Sequence, residues 1–482
     1  MLEIRQLVEA VLLLVEGIWE LIGSCHDGVE FEDRLRRLSL EVSARIYRWS
    51  LERLDDRLLQ ERDRQRFKVV GFRERMLVTT LGEVRFRRRL YRDCETQTSV
   101  FLLDRTLGFP SRKRISPSLE RMSLDFATRM SFGDAADSIA HLFPSVSKMA
   151  VWKCLQESGD LACRLGELQR RSVYEDGEVP RGTRRSEVLY IEADGVSVRQ
   201  RSFGGRRRRR ELKLGVIYEG KEEISPGRRT LVGRQTVAGL LDCESFWERV
   251  GVRSGSTWDM AKVREVHIGG DGADWVKEGV SAFPGAEYHL DPFHLRRALT
   301  EGLRFSSESY LSVCSRVVNR DRTGVEHALQ EAYKQARDHK ERDAVKRLRR
   351  YVLGNWEGIV SLSDAALGSI EGQVRHTLAR RMKNIGGFWS EAGMDHMAHL
   401  LAARMNGELH HFVAAPAWDR ERLDEVLEDA APIDVPKALR KSGQDTEAWL
   451  RVNMPALQGP HSSRPWVKYV LRDISRIKGL GA

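Results

Sequence analysis

The stretch Val188-Leu189-Tyr190-Ile191-Glu192-Ala193-Asp194 decides how the rest of the chain is read. Alternation by two puts Leu189, Ile191 and Ala193 on one face of a strand and Tyr190, Glu192 and Asp194 on the other. Two carboxylates on one face of so apolar a strand repel each other, and burying them is costly unless a partner or a cation compensates. The alternative is that Asp194 ends the strand and starts a turn at Gly195.

Downstream, residues 196–202 and 211–218 pattern as a hairpin around Gly204 and Gly205, and 231–240 extends the same sheet. A helix is expected over 244–250, a strand over 263–270, a helix from Ala273 and a last strand over Ala286–Leu290. Three antiparallel strands followed by two that alternate with helices suit an α/β ribonuclease H-like core. A doubly wound nucleotide fold would alternate strands and helices from the start.

Two further carboxylates stand out. Asp271 follows the apolar strand ending in Ile268-Gly269-Gly270 and is flanked by Gly272, at a strand tip where α/β sheets place ligands; a plain Gly-Asp-Gly turn is the other reading. Glu371 lies beside the apolar helical stripe Ile370, Val374, Leu378 and Met382, and its alternative role is an i,i+4 ion pair with Arg375. Together, three such carboxylates supply hard oxygen ligands for two Mg2+ or Mn2+ ions in an in-line phosphoryl displacement. The chain lacks the G-x-G-x-x-G and Walker spacings, the H-E-x-x-H zinc helix and the G-x-S-x-G elbow.

Outward from this core, residues 1–68 read as a helical region and 69–115 as a basic β-ribbon, in which Val84, Phe86 and Arg88 alternate with Arg85, Arg87 and Arg89. The ribbon faces phosphate or is a surface hairpin whose arginines blunt an edge. Residues 116–180 are helical and resemble a helix-turn-helix: Ala135, Ile139 and Phe143 mark a first helix, Pro144 and Ser145 break it, and Ser147 caps a second holding Val151, Trp152 and Leu155. Lys148 at its start would then reach DNA; ordinary helix packing accounts for the same pattern. The core spans 187–294 and 366–412, separated by an all-helical insertion at 295–365, and a helical region occupies 413–482.

With 482 residues the chain accommodates roughly three domains. Its 80 basic against 70 acidic residues leave a net charge of +10, which favours a nucleic-acid partner over a membrane surface. Six cysteines without a C-x-x-C pair point to a reduced cytoplasm. The apolar stretch from Leu7 to Ile22 is interrupted by Glu9, Glu16 and Glu20, so an amphipathic helix is expected rather than an anchor, and the protein is expected to remain cytoplasmic.

Four blocks in order carry a resemblance: Leu189-Tyr190-Ile191-Glu192-Ala193-Asp194; Gly270-Asp271-Gly272-Ala273-Asp274-Trp275; Tyr288-His289-Leu290-Asp291-Pro292-Phe293-His294; and Glu371-Gly372-Gln373-Val374 followed by Arg380-Arg381-Met382-Lys383. They resemble the ISLre-type bacterial insertion-sequence transposases, which are distantly similar to Mutator-like transposases. The resemblance implies a DDE transposase that cleaves and transfers DNA strands at terminal inverted repeats. Asp194, Asp271 and Glu371 fall on the catalytic, metal-holding positions. The Asp291 to His294 block resembles a C-x-x-H signature with Asp in place of Cys, which implies accessory roles for Asp291 and His294; a helix cap and a packed imidazole explain them equally. After Asp194 relatives continue with acidic and histidine residues, where this chain has Gly195-Val196. Expected partners are double-stranded DNA, as transposon ends and target, and further copies of the chain in a synaptic complex at the nucleoid. Arg206, Arg207, Arg208, Arg209 and Arg210 form a dense basic tip, and Arg380 and Arg381 flank Glu371; each is expected to contact DNA. The rival readings are another two-metal nuclease on the same fold and a non-catalytic, transposase-derived DNA-binding protein.

Overall fold

The computed structural model describes residues 2–413 except 112, 144–145, 202–207, 362–366 and 386. Arg206, Arg207, the Gly204-Gly205 turn, the Pro144-Ser145 break and the expected helical region from 414 onward lie outside the described residues. The described chain forms two units, residues 2–158 with 408–413, and residues 159–407.

In the first unit, helices α1 (Leu2–Ser24) and α2 (Gly28–Glu61) precede an antiparallel hairpin of β1 (Phe67–Thr79) and β2 (Gly82–Asp93), which β3 (Ser99–Val100) extends. Asp27 caps α2 by accepting the Glu30 N–H. The hairpin is longer at its open end than the runs 76–80 and 84–91 indicate, because the pairing continues out to Phe67 and Asp93. Leu51 of α2 packs on Leu77, Val84 and Phe86 of the hairpin and on Leu103 of α3 (Leu102–Leu107).

Alternation along β2 holds, with Arg88 buried on the face of Val84 and Phe86, but Arg89 on the opposite face is half-buried as well. Arg88 Nε and Arg75 Nη1 contact the buried Asp104 carboxylate at 2.9 and 2.6 Å, and Arg89 is held by Asp55 and Asp56, each at 2.7 Å. The carboxylates that neutralise them come from α2 and α3, so the ribbon's outward charge is carried by Arg85 and Arg87. Helices α4 (Pro117–Ala127) and α5 (Phe132–Leu142) follow, and then α6 (Lys148–Tyr174). Ala135, Ile139, Val151 and Leu155 are buried, and Ser147 Oγ accepts the Ala150 N–H. Trp152 does not join them; it is exposed, as are Lys148 and Met149.

The second unit is built on a mixed α/β sheet of five strands in the order β10 (Ala286–Leu290), β9 (Glu265–Gly270), β4 (Val188–Gln200), β5 (Arg208–Tyr218), β8 (Gln235–Gly239). β4, β5 and β8 run antiparallel to their neighbours, while β4, β9 and β10 are parallel. The segment expected to extend the sheet over 231–240 divides: β7 (Arg228–Val232) pairs with β6 (Gly220–Ser225) as a separate ribbon, and only β8 joins the sheet. β4 does not end at Asp194. It continues to Gln200 because Gly195 pairs with Lys213 and leaves room for Glu211, whose carboxylate occupies the space a Cβ would need.

Leu189, Ile191 and Ala193 pack under the sheet against Phe246, Trp247 and Val250 of α7 (Cys243–Thr257) and Val276 of α8 (Asp274–Lys277). After β10 comes an all-helical stretch, α9 (Pro292–Gly302), α10 (Ser307–Val318), α11 (Arg322–Gln335), α12 (His339–Gly354) and α13 (Trp356–Val360). It encloses its own core around Leu299, Val313, Leu329, Val345 and Leu348. α14 (Ile370–Val374) then widens into π-helical turns over Arg375–Asn384, and α15 (Glu391–Met405) follows. Among the described residues, no helix is long and apolar enough to cross a membrane.

Candidate active site

The period-two face that carries Glu192 and Asp194 looks toward the start of α14. Glu192 is almost wholly buried, and its carboxylate accepts the backbone N–H groups of Gly368, Ser369 and Ile370 at 2.9 to 3.2 Å together with the Tyr218 hydroxyl at 2.5 Å. An N-terminal helix turn presents unpaired amides and the positive end of its dipole, so a carboxylate there is stabilised. In sequence, Glu192 reads as a repulsive neighbour of Asp194. The structure shows instead a satisfied capping group that fastens the strand to the helix bearing Glu371. Burial pushes the Glu192 carboxyl above its usual range, and these hydrogen bonds oppose that rise.

Two residues further along β4, Asp194 is also buried, and among the described residues it accepts only the Gly195 N–H, at 2.7 Å. Burial and then the Asp271 charge raise its pKa to about 6; the Gly195 N–H and His294 pull it down, and Glu371 adds to the rise. One donor atom each from Asp194, His294 and Glu371 lies within 4.8 Å of the other two. Glu371, though exposed to solvent, thus belongs to a cluster rather than standing apart.

Asp271 is not a member of that close trio. Gly270 pairs with Ala193, so Asp271 follows at the C-terminal tip of β9 beside Asp194, but its Oδ1 accepts the Ala273 N–H at 2.9 Å within its own loop. The loop needs its glycine. Gly272 has a φ of +96°, and the Asn355 amide sits where a Cβ would project.

Asp291 caps α9, its Oδ2 accepting the His294 N–H at 3.1 Å and meeting the His294 ring at Nδ1, 2.7 Å away. The helix cap and the packed imidazole are therefore both present. With Nδ1 engaged, Nε2 is the ring nitrogen left for the Asp194 and Glu371 side. The Asp291 hydrogen bond lifts the His294 pKa above its ordinary value against burial, and Asp291, Asp194 and Asp271 add their charge. Asp291 Oδ1 is buried and has no hydrogen-bond partner among the described residues. A buried carboxylate oxygen of this kind, beside a clustered Asp, Glu and His, fits a divalent cation chemically.

A family profile matches residues 27–417, which is most of the chain. The chain belongs to the uncharacterised protein family UPF0236. It is similar to a UPF0236 protein of Caldanaerobacter subterraneus subsp. tengcongensis, 28% identical over 385 residues, covering 78% of this chain and 76% of that protein. It is likewise 28% identical over 413 residues to the UPF0236 protein in the vanSb 3′ region of Streptococcus gallolyticus, covering 82% of this chain and 87% of the relative. Among solved structures, the Drosophila P element transposase strand transfer complex covers 77% of this chain and 94% of that chain at 9% identity and a TM-score of 0.21. So slight a likeness carries no argument about the fold.

The basic residues of the UPF0236 chain divide by burial. Arg208 and Arg209 are exposed at the start of β5, and Arg210 is exposed while paired with Glu391 at 3.2 Å. Arg380 is exposed; Arg381 is buried with its guanidinium over the Trp389 ring at 5.0 Å. Stacked on Trp389, this guanidinium is not presented to solvent in the DNA-free chain.

A second polar cluster, Cys163, Asp395 and His399, is a closed network. Arg249 donates to His399 Nε2 at 2.7 Å and the Leu240 N–H to Asp395 at 2.7 Å, and burial pushes the Cys163 thiol well up. Its histidine nitrogen is already spent on the guanidinium.

Proposed function

We propose that this chain is a DDE transposase of the ISLre insertion-sequence type, cleaving DNA at terminal inverted repeats and transferring the strands. The observation that carries the reading is the 4.8 Å cluster of Asp194, His294 and Glu371 on a sheet ordered β10, β9, β4, β5, β8. That sheet, parallel through β10, β9 and β4 and antiparallel through β4, β5 and β8, supports a ribonuclease H-like core over 187–294 and 366–412 with a helical insertion at 295–365. Asp194, Asp271 and Glu371 are the ligands, Asp271 from the neighbouring strand tip, and the first unit recognises DNA through the ribbon's Arg85 and Arg87 and through Lys148.

Asp194, Asp271 and Glu371 would hold two Mg2+ or Mn2+ ions, which would supply Lewis-acid chemistry for an in-line phosphoryl displacement. The chain's own residues do the rest. Buried Asp194 has few competing hydrogen bonds and is ready to hold a cation. Glu192 keeps α14 seated, which brings Glu371 to Asp194. His294, lifted toward its protonated form by Asp291, holds a proton at Nε2 on the side where a phosphate oxygen would lie. Arg208, Arg209, Arg210 and Arg380 neutralise the flanking backbone. Joining two element ends calls for at least two copies of the chain in a synaptic complex, acting at the nucleoid in the cytoplasm.

The test is a purified protein with a plasmid carrying its own gene and flanking DNA. Strand cleavage with Mg2+, followed by end joining, is expected, and Asp194→Asn or Glu371→Gln should lower cleavage roughly a thousandfold or more while DNA binding stays within a few-fold. Cleavage without end joining would favour another two-metal nuclease. Binding with no cleavage under any divalent cation would favour a non-catalytic DNA-binding protein.

A further inference from the structure

Strands β9 and β10 carry another set of donors. In their parallel register Glu287 lies beside His267, and His289 follows on the same face two residues later. One donor atom from each of His267, Glu287 and His289 lies within 4.8 Å of the other two. His267 pairs with Tyr190, four residues before Asp194 along β4, which sets this cluster about 13 Å from the carboxylate site at the ordinary strand rise.

The geometry of the rings is fixed from behind. Ser361 Oγ donates to the Tyr288 carbonyl at 2.6 Å, leaving its lone pairs for the His289 Nδ1–H at 3.2 Å. That tautomer puts the free lone pair of His289 on Nε2, which meets His267 Nδ1 at 2.9 Å. His267 stacks on Tyr190 with centroids 5.3 Å apart, and its Nε2 lies 3.5 Å from the Glu265 carboxylate. Both imidazoles therefore have the far nitrogen backed by an oxygen, the arrangement that orients metal-bound histidines. His289 is fully buried, His267 partly so, and Glu287 is exposed, so the cluster opens to solvent at the carboxylate.

We propose that His267 Nδ1, His289 Nε2 and the Glu287 carboxylate bind a borderline transition-metal ion of the Zn2+ class, separately from the hard cations at Asp194. Two imidazoles and one carboxylate suit Zn2+ and disfavour Mg2+, which prefers oxygen ligands and its own waters. Tetrahedral bonds of about 2.0 to 2.2 Å place ligand atoms roughly 3.3 to 3.5 Å apart, within the present spacing. Binding moves the His267 proton from Nδ1 to Nε2, where Glu265 accepts it, so the site loads without an uncompensated charge on the ring. Three protein ligands leave one coordination position for water.

The experiment uses the full chain carrying Asp194→Asn and Glu371→Gln, which silences the carboxylate cluster, and it reads no DNA chemistry; its failure is thus distinct from failure of the transposase reading. The protein is stripped with chelator, checked by circular dichroism and titrated with Co2+. One equivalent with the visible bands of a tetrahedral nitrogen and oxygen site is expected, displaced by Zn2+ and untouched by millimolar Mg2+. Adding the exposed change Glu287→Gln should weaken Co2+ about tenfold or more, and His267→Gln should abolish the bands. Absence of the bands from folded protein, Co2+ affinity undiminished by either added substitution, or a strong near-ultraviolet thiolate band assigning the ion to a cysteine would each overturn the proposal.

Discussion

The Glu192 carboxylate accepts the Ile370 N–H at 3.2 Å, so the residue immediately before Glu371 is pinned to a strand position two residues before Asp194. Cluster geometry is therefore set by a side chain that is not part of the cluster. Replacing Glu192 with Leu leaves the buried Ile370 amide, the part-buried Gly368 and Ser369 amides and the buried Tyr218 hydroxyl without their acceptor, each fully buried loss costing about 1 to 3 kcal/mol before relaxation. Urea denaturation should show a loss of several kcal/mol, roughly 3 to 5. Glu192→Gln, which retains an acceptor oxygen, should keep most of the stability yet lower Mg2+-dependent cleavage, because the doubly accepting grip on α14 is lost.

Asp194 supplies a pH signature. Its pKa is raised from 3.8 to about 6, so the protonated form is favoured by folding: the contribution is fully present below about pH 4 and is lost as pH rises through 6. The difference is worth roughly 3 kcal/mol. In chelator, the protein should be more stable at pH 4.5 than at pH 7.5 on this account, and Asp194→Asn should flatten the difference. A denaturation series over that range measures it, and an unchanged slope in the variant would contradict the assignment.

Cation binding should show the complementary trend. Mg2+ competes with the Asp194 proton, so affinity should rise about tenfold per pH unit up to about 6 and level off above it. Isothermal titration in the absence of DNA reads this directly.

How much of the fold and the site is legible in the sequence depends on how far apart the interacting residues lie. The alternating faces of residues 188–194, the strand Ala286–Leu290, the apolar stripe from Ile370 to Met382 and the helical stretch between them follow from periodicity, a local property. Glu192 is legible as a carboxylate on a face, but the amides it caps are 176 to 178 residues away, and no local pattern announces them. Gly195 reads as a turn because a glycine accommodating the Glu211 side chain and a glycine turning a corner look alike in sequence. Arg88, Arg89 and Arg381 illustrate the same limit. A charge pattern shows alternation but not that Asp104, Asp55 or Trp389 waits beside these arginines.

The ribbon arginines permit a sharper comparison. Arg85→Ala and Arg87→Ala together should reduce the slope of log affinity against log salt by up to about 0.9 for each phosphate these side chains neutralise. Arg88→Ala should instead unfold the first unit by leaving buried Asp104 with one partner fewer, at about 3 to 5 kcal/mol, with no specific change in salt slope. Filter binding across a salt series, alongside thermal melts, separates the two outcomes.

β4 runs thirteen residues without a break, and on one of its faces Tyr190, Glu192 and Asp194 succeed one another. Such a strand behaves like a toothed rack: deleting a single codon between 190 and 194 would turn part of the row over, sending a carboxylate into the apolar layer and an aliphatic side chain into the cleft. Point changes along it are graded in effect, whereas frame-preserving deletions of one residue are all or nothing. Decayed copies of such a gene should thus lose function through single-residue gaps in this strand far more readily than through equal gaps in the helices between β10 and α14.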